Sequence, residues 1–318
     1  MKILITGAAG FVGSHLCDKY VGDGHTVIGV DNFTNGNLSN IRHLVASPKF
    51  KLIKGDIRDK SLLDSLMQGV DVVFHLAAQI HVDRSLVEPD ETWTTNVLGT
   101  LNVLESARRH DVGKVIYASS SEVYGPAQYS PMDELHPLDA VHPYGASKIA
   151  ADRMCFAYHK SFGMNVCIAR CFNLYGPNQK DSGYGGVISI FIKRTLAGQP
   201  PIIYGDGSQV RDYLHISDAI RAYDALLEYG DPSLGPINFG TGEGVTINDL
   251  ALKLLSLAGL DILPVHVAAR PGEVQKLVAD YSIAYKEFNW KPQMSLDNGL
   301  EGLVEWFKNY KGEELKIR

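Results

Sequence analysis

Lys2-Ile3-Leu4-Ile5-Thr6-Gly7-Ala8-Ala9-Gly10-Phe11-Val12-Gly13 opens the chain, and its reading decides the fold. Residues 2–6 are a short apolar run, the pattern of a strand buried on both faces. Glycines at 7, 10 and 13 follow. Phe11, Val12, Leu16, Tyr20 and Val21 then recur at helical spacing until Gly22 and Gly24 stop the helix. A second strand, 26–30, ends at Asp31. Strand, glycine turn, helix, strand and acid, in this order, are the context that a dinucleotide fingerprint requires. The glycines permit a tight turn and bring backbone N–H groups towards a pyrophosphate at the helix N-terminus. Asp31 stands where a carboxylate accepts hydrogen bonds from a ribose diol and repels a 2′-phosphate, so NAD is expected rather than NADP.

Composition narrows the class. At 318 residues the chain is long enough for one large α/β unit with a subsidiary lobe. A formal net charge of −6 gives no general attraction to nucleic acid or to acidic membranes, so an anionic ligand needs a local site. Cys17, Cys155, Cys167 and Cys171 form no CxxC pair and match neither a zinc site nor a disulfide framework. Reduced thiols in a cytoplasmic protein are expected, with no metal. Met1-Lys2 runs straight into the first strand, which is not the pattern of a signal peptide, and no apolar run is long enough to span a bilayer.

Downstream, strands are expected at 51–55, 71–76, 114–118 and 166–171, with long helices at 91–110 and 143–162. The fifth strand delivers Ser119-Ser120-Ser121-Glu122-Val123-Tyr124-Gly125. Carboxyl ends of parallel strands near the switch of an open sheet are where such proteins place ligands. Tyr144-Gly-Ala-Ser-Lys148 puts a phenol and an ammonium on one face of a helix. An ammonium beside a phenol favours the phenolate, so this pairing is expected to lower the tyrosine pKa and suit it to proton transfer.

The Gly-x-x-Gly-x-x-Gly spacing, with Ser120, Tyr144 and Lys148 downstream, resembles the extended short-chain dehydrogenase/reductase family, in its nucleotide-sugar branch. The resemblance covers nearly the whole chain. It implies a doubly wound parallel sheet (Rossmann) with a smaller C-terminal substrate-binding lobe. It also implies NAD, a nucleotide-diphosphate sugar as substrate and a homodimer seamed by the two long helices. It places Asn32, Asn35 and Gly36 beside the adenosine, although as turn formers they fit a plain loop equally. Asp56 falls at the adenine amino group, next to Ile57. Leu76, Ala77, Ala78 and Gln79 fall along the cofactor, and Asn96 joins that set. Ser120 is the family's catalytic hydroxyl position, sharing a substrate oxygen with Tyr144. Ser121 and Asn173 are substrate positions; Asn173 meets the pyrophosphate. Arg84 lies in a stretch similar to that of nucleotide-sugar dehydratases, and fits a surface arginine as well.

Beyond Pro177 the texture changes. Residues 178–186 read as a flexible loop, and the domain change is placed here: 1–177 binds NAD, and 178–318 is mainly the sugar-nucleotide lobe, with about 205–245 returning to the first domain. A helix at 187–198, beginning at Val187, and the segment 201–204 would wrap the base. Tyr204 is either a stacking partner or a packing residue. Arg211 and Arg270 match family positions that answer a diphosphate's charge. Helices at 217–229, 246–258 and 297–309 and a strand at 236–240 read as packing.

Glu122 bears on the reaction. In the resembled family this position is commonly Glu in 4,6-dehydratases and uronic-acid decarboxylases, and small or Thr in 4-epimerases. A ketone at C4 acidifies the C5 proton, and a carboxylate can remove it as the C6 hydroxyl leaves. Glucose-type dehydratases usually carry Asp where Ser121 stands, so Glu122 would do both jobs, as in mannose-type dehydratases. The expectation is an NAD-dependent 4,6-dehydratase; a 4-epimerase is the alternative, then a decarboxylase.

Overall fold

The computed structural model describes residues 1–180, 186–270 and 272–309. Most of the loop expected at 178–186 lies outside these residues. The central sheet has seven strands: β1 (Lys2–Thr6), β2 (Thr26–Asp31), β3 (Phe50–Lys54), β4 (Val72–His75), β5 (Lys114–Ala118), β6 (Val166–Cys171) and a last strand, Pro236–Phe239. They lie side by side as last strand, β6, β5, β4, β1, β2, β3, every pairing parallel.

Successive strand residues point to opposite faces, and the apolar runs use both. Ile3, Ile5, Val72 and Phe74 join one core; Leu4, Val73, Val115 and Tyr117 join the other. The first core is covered by α1 (Phe11–Gly22) and the helix Ile216–Tyr229, through Leu16, Tyr20, Ala219 and Tyr223. The helices Lys60–Met67, Gly99–Arg109 and Pro143–Phe162 cover the second through Leu63, Leu104 and Cys155. Each large apolar side chain so buried contributes roughly 1.5–3 kcal/mol. A third core, in the smaller lobe, joins the helices Val187–Leu196, Ile247–Leu257 and Leu296–Asn309.

Three features depart from the sequence pattern. The helix expected at 91–110 is three pieces: Pro89–Trp93, a wide π-turn at Thr94–Leu98, and Gly99–Arg109. The wide turn carries Asn96 inward, where it is 1% exposed and bonded to Gln79. The helix Lys60–Met67 was not expected; Asp59 caps it by accepting the Leu62 N–H. Ser282–Phe288, placed in the smaller lobe by the sequence pattern, packs instead on the first core with Trp290, whose ring meets Phe239 edge to face at 5.0 Å. The four cysteines are free. Among the described residues no helix is long and apolar enough to cross a membrane.

A buried ion pair ties the helix Pro143–Phe162 to β6. Asp152 accepts from Arg170 Nε at 2.9 Å and Nη2 at 3.1 Å, and from the Ser119 hydroxyl at 2.8 Å. Arg170 Nη1 also donates to the Tyr124 hydroxyl at 3.0 Å. Removing one partner strands the other charge away from water. Asp152→Ala is therefore expected to cost about 3–5 kcal/mol, read by urea unfolding.

Glu134 supplies a pH signature. Its carboxyl accepts the Asn238 N–H at 2.8 Å, and burial pushes its pKa from 4.5 up to about 7. The folded protein thus holds this proton more tightly than the unfolded chain. Its stabilising effect is complete below pH 4.5 and is lost as pH rises through about 7. Melting temperatures across that window should fall more in the wild type than in Glu134→Gln.

Candidate active site

Strand order reverses between β1 and β4, where the helices that follow leave for opposite faces. Such a reversal opens a crevice at the carboxyl ends of the strands. Here it is a cleft of about 390 Å³. Its floor is built from both strand ends. Thr6 Oγ1 accepts the N–H groups of Leu76 and Ala77 at 3.2 Å, drawing the two turns together. Gly7, at φ +73°, leaves no room for a side chain: a Cβ would lie 2.9 Å from the Ala77 nitrogen. At Gly13 a Cβ would lie 2.1 Å from the Gly7 carbonyl oxygen. The helix therefore begins directly against the turn.

Nearly every residue expected to hold the cofactor lines this cleft. Gly7, Gly10, Phe11, Val12 and Gly13 form one wall, and Asp31, Asn32, Asn35, Gly36, Asp56 and Ile57 another. Leu76, Ala77, Ala78 and Gln79 run along the floor. Asp31 also holds the glycine turn, accepting the N–H groups of Ala9 at 2.9 Å and Phe33 at 2.8 Å, while burial pushes its pKa up. Asn32 reaches across to Asp56 at 2.9 Å. Asp56 is held down to about 2, chiefly by the Arg58 guanidinium. Asn96 does not line the cleft. It fixes the backbone of Gln79 and bonds the Ser147 hydroxyl at 2.9 Å, so its part is to shape the floor. Arg84 lines neither this cleft nor its neighbour, because Glu88 at 2.9 Å and Glu91 at 2.6 Å hold its guanidinium.

Ser120, Ser121, Glu122, Tyr144 and Lys148 meet at the same cleft. Ser120 lies beside the Tyr144 hydroxyl and favours its ionised form. Tyr144 and Lys148 lie on one helix as their spacing requires, but the ammonium is bonded elsewhere than to the phenol. Lys148 Nζ donates to the Ala118 carbonyl at 2.8 Å and lies 5.0 Å from the Tyr117 ring. Burial pushes Tyr144 up to about 12, against the lowering effect of Ser120, and brings Lys148 down to about 8. For side chains buried this deeply, desolvation outweighs the attraction that a one-turn spacing suggests.

A second cavity of about 420 Å³ adjoins the first, with Asn173 lining both. Val187, Tyr204, Arg211 and Arg270 line it. Arg270 stacks over Tyr204, 3.8 Å from the ring centroid, and faces Asp83 at 3.6 Å. Arg211 lies 4.0 Å from Glu273. Two guanidinium groups thus converge on one cavity, each already balanced by a carboxylate. His142 also belongs to this site. Its position directly before Pro143 marks a helix start, but nothing in the spacing points from it to Glu122, whose carboxylate it contacts at 3.2 Å.

Backbone closed to side chains at Gly7 and Gly13, a carboxylate at the end of β2 and an elongated cleft fit a dinucleotide. A family model described as GDP-mannose 4,6 dehydratase matches residues 4–303. A putative UDP-glucose 4-epimerase of Methanocaldococcus jannaschii is 39% identical over 309 residues, covering 96% of this chain and 98% of that one. A dTDP-glucose 4,6-dehydratase of Actinoplanes sp. is 36% identical over 318 residues, covering 97% and 98%. The crystal structure of DesIV, a dTDP-glucose 4,6-dehydratase from Streptomyces venezuelae with NAD bound, superposes with a TM-score of 0.92 at 35% identity, covering 97% of each chain. Matched along almost its whole length, this chain belongs to the GDP-mannose 4,6 dehydratase family and is an enzyme of the extended short-chain dehydrogenase/reductase branch that includes nucleotide-sugar dehydratases and epimerases.

Proposed function

We propose that this protein is an NAD-dependent 4,6-dehydratase that converts a nucleotide-diphosphate hexose to its 4-keto-6-deoxy form. The observation that carries the reading is Glu122, a second proton-transfer group in the cleft that holds Ser120, Tyr144 and Lys148. NAD, held along the Gly7–Gly13 turn, Asp31 and the Leu76–Gln79 floor, supplies acceptance and return of a hydride. Tyr144 takes the proton of the sugar C4 hydroxyl, and Ser120 orients the same oxygen. The resulting C4 ketone acidifies C5. Glu122 removes that proton and delivers it to the C6 hydroxyl, which departs as water; C6 would then take the returning hydride, and C5 would regain a proton that balances the one taken by Tyr144. Arg211 and Arg270 exchange their carboxylate partners for the diphosphate, and Tyr204 and Val187 flank the base. The helices Gly99–Arg109 and Pro143–Phe162 would seam a homodimer.

Decarboxylation of a uronic acid remains the third reading, because the resembled family commonly carries Glu at the position of Glu122 in that group too, beside the same Ser120, Tyr144 and Lys148. The 4-epimerase reading is favoured by the relative of that name at 39% identity, since the same Tyr144, Ser120 and Lys148 serve it.

Product mass separates the readings. Incubated with dTDP-glucose, UDP-glucose and GDP-mannose, the enzyme should yield a product lighter by one water; an isomer of unchanged mass would mean epimerisation. Tyr144→Phe should lower C4 oxidation and water loss together, by at least about 100-fold, the usual worth of a positioned acid–base group. Glu122→Gln should lower water loss alone, leaving C4 oxidation readable as reduced-nicotinamide absorbance. Water loss undiminished in that variant would remove Glu122 from the mechanism.

A further inference from the structure

His142 stands at the start of the helix Pro143–Phe162 and is 5% exposed. Its Nδ1 accepts the Gly145 N–H at 3.0 Å, capping the helix. A nitrogen that accepts there carries no proton, so the ring proton sits on Nε2. Nε2 lies 3.2 Å from Glu122 Oε2, and the only bond this tautomer can make there is Nε2–H donating to the carboxylate. Serine, threonine, asparagine or aspartate would cap the helix as well, but none is long enough to reach Glu122 too. The approach is close: a Cβ at Gly145 would lie 2.7 Å from the Glu122 carbonyl oxygen and 3.2 Å from His142 Cε1. Ser120 Oγ accepts the Glu122 N–H at 3.2 Å, so backbone and carboxylate are each held. The His142 ring lies nearly parallel to that of Tyr144, 18° apart with centroids at 6.0 Å.

We propose that His142 is a positioning residue: it uses one nitrogen to begin the helix that carries Tyr144 and Lys148, and the other to aim the Glu122 carboxylate at the sugar. One oxygen of Glu122 is tethered and the other is left for the substrate. The same ring thus sets the spacing between the group that acts at C4 and the group that acts at C5. The inference rests on the reading of Glu122 as the base at C5.

Two substitutions divide the functions of the ring. In His142→Asn the side-chain oxygen reaches the place of Nδ1 and keeps the cap but stops short of Glu122. In His142→Gln the amide nitrogen reaches the place of Nε2 and keeps the Glu122 bond but loses the cap. The holoenzyme is assayed in deuterated water with whichever of dTDP-glucose, UDP-glucose or GDP-mannose the wild type converts. Deuterium entry at C5, reduced-nicotinamide absorbance and melting temperature are measured. His142→Asn should melt like the wild type and keep C4 oxidation and KM. Its C5 exchange should fall by about ten- to a hundred-fold, the worth of one hydrogen bond to a charged group. His142→Gln should melt lower yet keep most of the exchange. The reverse pattern, with Asn unimpaired and Gln both unstable and slow, would reduce His142 to a helix cap and overturn the proposal. Glu122→Gln serves as the control on the underlying reading. If it exchanges at C5 like the wild type, Glu122 is not the base and both inferences fall. If it stops exchange while His142→Asn does not, only the role of His142 falls.

Discussion

The switch between β1 and β4 is the constraint on which the rest of this structure depends. Two parallel strands lie side by side while the segments after them depart to opposite faces, so a gap opens where their carboxyl ends meet. Thr6 bonds the N–H groups of the β4 turn, and Gly7 lets the two turns touch. A cleft therefore opens between the two turns. The serines after β5 and the helix Pro143–Phe162 reach the same gap from the neighbouring strand, which brings proton-transfer groups beside a dinucleotide crevice.

Within that cleft, burial governs the chemistry more than sequence spacing does. Lys148 and Tyr144 share a helix face, yet the amine donates to a backbone carbonyl and the phenol lies beside Ser120. Burial works against the charged form of each, raising the tyrosine and lowering the lysine. Charge that is tolerated at depth is matched by geometry, as in Asp152 with Arg170. The second cavity follows the same rule. Arg211 and Arg270 each rest near a carboxylate, so an incoming diphosphate would replace one anion by another rather than find bare cations.

Much of this was legible in the chain. The strand–turn–helix–strand unit at residues 2–31 is a local pattern of period two, three glycines and period 3.6, and local patterns survive folding because backbone geometry alone imposes them. Less legible are the places where tertiary contact overrides local preference. Asn96 looks like a helix residue free to meet a ligand, but a π-turn drives it under Gln79. Arg84 matches a substrate stretch, but two nearby glutamates hold it. Trp290 lies far along the chain in the smaller lobe's sequence, yet its ring belongs to the first core.

By itself, the sequence determined the order and type of the main elements, the dinucleotide turn and the helix face carrying Tyr144 and Lys148, because each depends on residues within a few positions of one another. Only the tertiary structure decided what those groups touch. The pairing of His142 with Glu122 joins residues separated by a loop and a helix start, and the partner of Lys148 is a carbonyl on β5. Such contacts follow from how sheets and helices pack, which no spacing along the chain records.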